Sequence, residues 1–270
     1  MASAMTEKTD TAIPHSGYET RLARSDQDRA AALRLRYEVF VEELGAVGQH
    51  VDHDNRLEHD PLDPHFDHLL LVDRSVAPDT LAHVVGVYRL LPQDRAEALG
   101  RFYSDDEFDL DLLRQSGRKL VELGRSCVHP AHRRGSAMLH LWNGLAGYVL
   151  ERDIEILFGV ASFHGTDIHQ HAAALTWLHS HHLAPPDLRV TAVSGDAHRM
   201  DILPSDSVNR AQALGSIPPL IRAYLRLGGF VGDGVYIDRD FNTTDVCLIL
   251  DTATMSERAV DHYTRKTPRR

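Results

Sequence analysis

Cysteine is scarce: two residues in 270 leave no disulfide framework and no Cys-rich zinc site. Cys127 and Cys247 lie far apart in sequence, each inside an apolar strand-like run, where the role of a small buried hydrophobe is expected. Long apolar runs are missing too. The longest, such as Ile154 to Ala161 and Val246 to Leu250, fall far short of the ~20 residues that span a bilayer, so no membrane-crossing segment is expected. There is no excess of positive charge: the formal net charge of −10 argues against nucleic acid as a partner, because that needs Lys and Arg massed against phosphates. Signatures of a P-loop, a dinucleotide fingerprint, a zincin helix and a hydrolase nucleophile elbow are also absent, and with them those reaction classes. The opening residues MASAMTEKTDTAIPHSG have no apolar core of a secretory signal. Residues 1–17 therefore read as a flexible tail, 256–270 with its basic RKTPRR as a second one, and the cytoplasm as the default location.

Histidine is plentiful, with 18 copies, yet its patterns carry little. His179, His181 and His182 in WLHSHH cannot place three imidazoles on one helical face, so no metal site is expected there. The H-x-x-x-x-D spacing used by glycerolipid acyltransferases occurs at His68…Asp73 and His182…Asp187. One match sits inside a strand pattern and the other runs across Pro185-Pro186, so both read as coincidence.

With 43% apolar and 25% charged residues the chain has the balance of a soluble globular protein. SDQDRAAALRLRYEVFVEELG predicts an amphipathic helix capped by Ser25 and ended by Gly45. An aperiodic segment from Gln49 to Pro64 reads as a long, functional loop. FDHLLLVD and LAHVVGVYRLLP predict an antiparallel strand pair, FDLDLL a short helix, and KLVELGRSCVHP a third strand. A helix over 136–151, the strand IEILFGVASF, a helix over 167–182, a helix in IPPLIRAYLRLGG and the strands FVGDGVYID and TDVCLILD complete the order. This is the pattern of a mixed α/β domain over residues 18–255, with a largely antiparallel sheet flanked by helices. At its centre, CVHPAHRRGSAMLHLW turns a strand into a helix through Arg133, Arg134, Gly135 and Ser136. The unpaired N–H groups and dipole of such a helix start make it a candidate phosphate cradle.

Three segments, LRYEVFVEELG, GVYRLLP and ELGRSCVHP, resemble the N-acyltransferases related to acyl-homoserine-lactone synthases, which share the GNAT fold. More specifically, SFHGTDIHQHAAALTWLHSHHLAPPDLRV and IPPLIRAYLRLGGFVGDGVYIDRDFNTTDVCLIL resemble the L-ornithine Nα-acyltransferases that begin ornithine-lipid synthesis, and the resemblance runs over about residues 20–252. It implies transfer of a 3-hydroxy fatty acyl group from acyl carrier protein to the α-amine of L-ornithine. The phosphopantetheine arm of the carrier would be the donor, with no other cofactor, and contact with a membrane would be peripheral. It also implies an acceptor site built from Arg36, Phe40, Asp52, Arg89, Glu122 and Arg125.

The chemistry assigns roles to these positions. An amine must be neutral to attack a thioester, and Glu122 is the candidate base; its alternative role is an ion pair with Arg125 or Arg89. Gly124 could mark a bulge that offers a backbone N–H to the oxyanion. Arg36 and Arg89 could fork the ornithine carboxylate, and Asp52 or Asp54 could take its δ-ammonium. Two departures from the wider family stand out. ELGAVGQH lacks the aromatic residue that homoserine-lactone synthases carry after the first helix, and HQHAAALTWLHS lacks a leaving-group tyrosine. The phosphate loop of N-acetyltransferases, Arg or Gln followed by x-x-Gly-x-Gly/Ala, is met by His132 to Ala137 with histidine in first place. That would suit the single phosphodiester of a carrier arm. An acyl-homoserine-lactone synthase is one alternative; a non-catalytic module that docks the carrier on Arg133, Arg134, Arg222 and Arg226 is another.

Overall fold

A computed structural model describes residues 17–193 and 195–255; the expected tails, save Gly17, lie outside these residues. Strand β1 (Tyr18–Leu22) leads into helix α1 (Asp26–Arg36), where the Ser25 hydroxyl accepts from the Asp28 N–H at 3.1 Å and Asp26 and Asp28 sit at the positive end of the dipole. The helix expected to run on to Leu44 changes character at Arg36. Tyr37–Glu43 form a π-helical turn in which the Leu44 N–H donates to Val39, five residues back. The aperiodic loop holds a small hairpin of β2 (Val51–Asp52) and β3 (Leu57–Glu58). There follow β4 (Asp67–Asp73), β5 (Val84–Pro92), α2 (Gln93–Leu99), β6 (Phe108–Asp109), α3 (Asp111–Gln115), β7 (Leu120–Val128), α4 (Ala137–Glu151), β8 (Ile156–His164) and α5 (Ala172–His182). The last part contains β9 (Thr191–Ala192), β10 (Ala197–His198), α6 (Arg210–Ser216), α7 (Pro219–Arg226), β11 (Phe230–Val231), β12 (Val235–Asp238) and β13 (Thr243–Asp251). One expectation fails at FDLDLL. Phe108 and Asp109 pair with β9, a partner some eighty residues on, and the helix starts only at Asp111.

The main sheet runs β1-β4-β5-β7-β8-β13-β12-β10, with β11 also paired to β13, and every pairing is antiparallel except β7 with β8. That parallel pair needs a crossover, which α4 supplies. Strand alternation sends Leu157, Ala161 and Phe163 to the face covered by α4, α5 and α7. Ile156 and Phe158 go to the opposite face, with Phe66, Phe102 and Phe108. Beneath α1, Ala31, Ala32, Leu35 and Val39 pack on Leu70, Val72, Val84 and Val87. No helix among the described residues is long and apolar enough to cross a membrane.

The parallel pairing of β7 and β8 lasts only from Leu120–Ile156 to Glu122–Phe158, after which the strands part. A bulge at Arg125–Ser126, opposite Tyr88, bends β7, and Arg125 adopts φ +47°. On the β8 side, Gly159 has φ +155°, and a Cβ there would lie 2.1 Å from the Leu123 carbonyl oxygen. Only glycine lets the two backbones meet where they begin to diverge.

A buried charge network fixes the other side of the bulge. Arg36 pairs with Glu58 and, at 2.7 Å, with Asp63; Arg89 pairs with Asp60 at 2.9 Å and Asp63 at 3.0 Å; Arg125 pairs with Glu58 and Asp60, both at 3.3 Å. Three cations and three carboxylates cancel, and the Arg89 guanidinium also lies 4.0 Å from the Phe66 ring centroid and 4.9 Å from that of Tyr103. Burial by itself would raise the carboxyl pKa values, but the arginines outweigh it and hold Glu58, Asp60 and Asp63 below the ordinary range.

Two outcomes follow for stability. Gly159→Ala should cost roughly 1–3 kcal/mol or more by overpacking the β7–β8 contact, measured as a fall in denaturation midpoint. Asp63→Asn leaves Arg36 and Arg89 partly unpaired in the interior and should cost about 3–5 kcal/mol near neutral pH. A carboxylate whose folded pKa is depressed stabilises the fold above its unfolded pKa of about 3.9 and loses that contribution as pH falls further. The gap between wild type and Asp63→Asn in urea melts should therefore narrow below pH 4; a gap independent of pH would contradict the network.

Candidate active site

The parting of β7 and β8 opens a cavity. It passes through the sheet, and the two faces differ in chemistry. On the α4/α7 side its wall is Tyr88, Leu123, Leu157, Leu220, Tyr224, Leu248 and Leu250, with the Tyr88 and Tyr224 hydroxyls 3.3 Å apart. On the other side it is lined by Tyr103, Glu107, Glu122, Arg125, Asp238 and Asp245. Leu123 to Ser126 run along the wall without a strand partner on the β8 side.

Glu122 is 1% exposed and lines this cavity. It forms neither of the ion pairs weighed for it. One carboxylate oxygen accepts from the Ser104 N–H at 2.7 Å and from the Ser104 hydroxyl, the other from the Tyr103 N–H at 2.7 Å. Burial raises its pKa, and these hydrogen bonds oppose the rise. Gly124 also lines the cavity but is paired with Arg89; the bulge expected at Gly124 sits one residue further, at Arg125. Arg125 donates to the Tyr103 hydroxyl at 3.1 Å and stands 4.2 Å from the Phe241 ring centroid. Phe40, carried in by the π-helical turn, meets Phe241 edge to face at the same wall.

The expected carboxylate fork of Arg36 and Arg89 is not formed. Arg36 is fully buried, spent on Glu58 and Asp63, and lies outside the cavity wall. Arg89 does line the cavity, and its Nε and Nη2 have no hydrogen-bond partner among the described residues. That edge faces Gly124, where an added Cβ would lie 3.6 Å from Nε and 3.7 Å from Nη2. The acids proposed for the δ-ammonium are also misplaced. Asp52 accepts from the N–H and side chain of Asn55 within its own turn, and Asp54 is exposed; the loop's inward acids are Glu58, Asp60 and Asp63, which belong to the arginines.

The phosphate-loop candidates stand together at the start of α4. Gly135 has φ +106° and Ser136 is the helix cap residue, without a side-chain hydrogen bond of its own. Arg133 is engaged with Glu43 of the π-helical turn at 2.6 and 2.5 Å and with the Val128 carbonyl at 2.9 Å, which leaves Arg134 as the exposed cation of the loop. In the histidine cluster, His181 stacks on Trp177 at 3.7 Å between centroids.

Sequence reasoning missed a second acidic group at the cavity. Glu107, Asp238 and Asp245 each offer a carboxylate oxygen, and these oxygens lie within 4.8 Å of one another. Glu107 is 5% and Asp245 2% exposed. Asp245 accepts from the Thr243 hydroxyl at 3.2 Å, whereas Glu107 Oε2 and Asp245 Oδ1 have no hydrogen-bond partner among the described residues. An unsatisfied buried acceptor costs about 1–3 kcal/mol, so this arrangement opposes stability. Burial raises Asp245 to about 7, with the Asp238 charge adding to the rise, and holds Glu107 well above the carboxylate range. The available signal was register: Asp245 lies on the core-facing phase of Cys247 and Ile249 in TDVCLILD.

The acetyltransferase (GNAT) domain family matches residues 35–143. An L-ornithine N(alpha)-acyltransferase of Rhodobacter capsulatus is 58% identical over 249 residues, covering 92% of this chain and 95% of that protein. One of the same name from Rhizobium meliloti is 41% identical over 248 residues, covering 91% and 83%. Among solved structures, a CoA-dependent acyl-homoserine lactone synthase is 15% identical, covering 88% of this chain and 81% of that one with a TM-score of 0.48. At such identity over nearly the full length of both proteins, the chain belongs to the L-ornithine Nα-acyltransferase family and is an acyltransferase with a GNAT domain.

Proposed function

We propose that this chain transfers a 3-hydroxy fatty acyl group from acyl carrier protein to the α-amine of L-ornithine, the first step of ornithine-lipid synthesis. The observation that carries the reading is the cavity through the sheet, apolar on one face and charged with both signs on the other. An acyl thioester and a zwitterionic diamino acid need those two environments, meeting at one point.

In this reading the acyl chain lies along Leu220, Tyr224, Leu248 and Leu250, and the thioester carbonyl reaches the parted edge of β7 near Gly124. Arg125 and the unpaired Nε–Nη2 edge of Arg89 make the positive side toward which the α-carboxylate turns. Glu122 takes a proton from the α-ammonium, directly or through water; burial raises its pKa toward the range useful for a base. The free amine attacks the carbonyl carbon, unpaired β7 N–H groups bear the oxyanion, and collapse breaks the C–S bond and forms the amide. The tetrahedral nitrogen gives its second proton to the departing thiolate, which stays on the carrier arm as the thiol, and Glu122 releases the first proton to solvent. The single phosphodiester of that arm suits the N–H groups at the start of α4, with Arg134 beside them for the acidic carrier surface. Because the product is amphiphilic, the proposal includes peripheral contact with a membrane.

The test is acylation by purified protein supplied with L-ornithine and a 3-hydroxyacyl thioester on either acyl carrier protein or coenzyme A. Faster turnover from the carrier is expected, and equal rates from the two donors would remove the carrier-specific part of the reading. Glu122→Gln should lower kcat by roughly 10²–10⁴, the usual contribution of a general base, with a much smaller change in KM for ornithine. A variant that keeps wild-type kcat would remove Glu122 from the chemistry.

A further inference from the structure

We propose that Glu107, Asp238 and Asp245 form the pocket for the side-chain ammonium of the acceptor, so that this site selects diamino acids over amino acids with neutral side chains. The inference rests on the acyl-transfer reading above and deepens it.

Three separate elements bring these acids together: the residue before β6, the end of β12 and the middle of β13. All three line the same cavity as Glu122 and Arg125. Two of their oxygens, Glu107 Oε2 and Asp245 Oδ1, are buried and accept no hydrogen bond among the described residues. The hydroxyls of Thr243 and Ser162 bond Asp245, yet its Oδ1 and Glu107 Oε2 stay open, which marks a place for a donor that arrives with a ligand.

The protein's own cations do not satisfy them. Arg125 is a cation that acts on both Glu107 and Asp245, and each of its three guanidinium nitrogens already donates elsewhere, to Glu58, Tyr103 and Asp60. Arg36 and Arg89 are neutralised by the loop acids. No arginine is therefore spent on the acidic group, which stays open to a cation that a ligand brings.

The shape of that ligand follows from the donors it must bring. An alkylammonium carries three N–H donors in a compact head, which matches three converging carboxylates. A calcium or magnesium ion needs about six oxygens, and three carboxylate oxygens converge here. With the α-amine at Glu122 and the α-carboxylate at the unpaired edge of Arg89, the side chain of a diamino acid extends along the same wall to this cluster. Asp52 and Asp54, the acids first expected to do this, are on an exposed turn instead.

The test measures kcat and KM for L-ornithine and for L-2-aminopentanoate, which lacks only the δ-amine, with wild type, Glu107→Gln and Asp245→Asn. In both variants the ratio of KM for ornithine to KM for 2-aminopentanoate should rise roughly tenfold or more, as expected when charge-assisted contacts to one group are lost. A pH profile adds a second readout. The cluster holds an ammonium only when ionised, so wild-type KM for ornithine should fall as pH rises through about 7, where Asp245 titrates. The 2-aminopentanoate profile should lack that limb. The groups that bear on the cluster are Glu122 and Arg125 of β7 and Tyr236 and Asp238 of β12; Glu122 acts on both acceptors alike and cancels in the comparison.

An unchanged ornithine-to-aminopentanoate ratio in both variants would overturn the inference. So would an equal loss of kcat for both acceptors, or activity that needs a divalent cation bound by these residues. If wild type acylates neither acceptor, the acyl-transfer reading fails, and calorimetric binding still decides the pocket. Tighter binding of ornithine than of 2-aminopentanoate, lost in Asp245→Asn, supports it, and equal binding overturns it. Folding of the variants is checked by thermal melts. Each carboxyl has a folded pKa above its unfolded one, so its ionisation destabilises the native state as pH rises. Both amide variants should thus melt above wild type at pH 8, by a margin that shrinks toward pH 4.

Discussion

The buried set of three arginines and three carboxylates is the constraint from which the site follows. Arg36, Arg89 and Arg125 come from three different elements, and Glu58, Asp60 and Asp63 all come from the segment after the first helix. None of the six could be buried alone, because an uncompensated charge in the interior costs several kcal/mol. Together they pin the β2–β3 hairpin against the sheet and hold Arg125 at the bulge where β7 leaves β8. The same neutrality removes most of the arginine charge from substrate binding. What remains toward the cavity is Arg125 and one unpaired edge of Arg89, the edge that faces a residue without a side chain at Gly124.

Strand alternation then divides the cavity between two kinds of ligand. Side chains that point toward α4 and α7 are apolar, and those that point the other way carry Glu122, Asp245 and their neighbours. A cavity that crosses the sheet at a parted strand pair therefore offers an oily channel and a charged chamber. The charged chamber is itself graded, positive near Arg125 and negative at Glu107, Asp238 and Asp245, and that gradient would set the direction of a bound zwitterion. The unsatisfied acids weaken the apo fold, which is the usual relation between a preformed binding site and stability.

Much of the scaffold was legible in the sequence, and the losses have physical causes. The Ser25 cap, the strand patterns of β4, β5, β7, β8 and β13, and the loop before α4 are local signals, and each appears in the structure. The π-helical turn at Tyr37–Glu43 leaves the apolar stripe almost intact, so periodicity did not reveal it. Asp52 and Asp54 stand out in the sequence no less than Glu58, Asp60 and Asp63, because no local pattern distinguishes the acids of one loop; contacts with residues 22 to 67 positions away do. Reading 108–113 as a helix hid the inward-facing Glu107 beside Phe108, since the strand it introduces pairs only with distant β9. Glu122, Gly124, Arg125, Arg89 and Phe40 do meet at one cavity, whereas Arg36 serves the network beneath it.

The most direct measurement of the central claim is the regiochemistry of the product. Ornithine offers two amines, and an acceptor held by its carboxylate near Arg89 and Arg125 and by its δ-ammonium at the acidic cluster can present only the α-nitrogen to the thioester. Fragmentation mass spectrometry of the product formed by the purified protein should locate the acyl group on the α-nitrogen alone. Acylation at the δ-nitrogen, or a mixture of the two, would contradict the account.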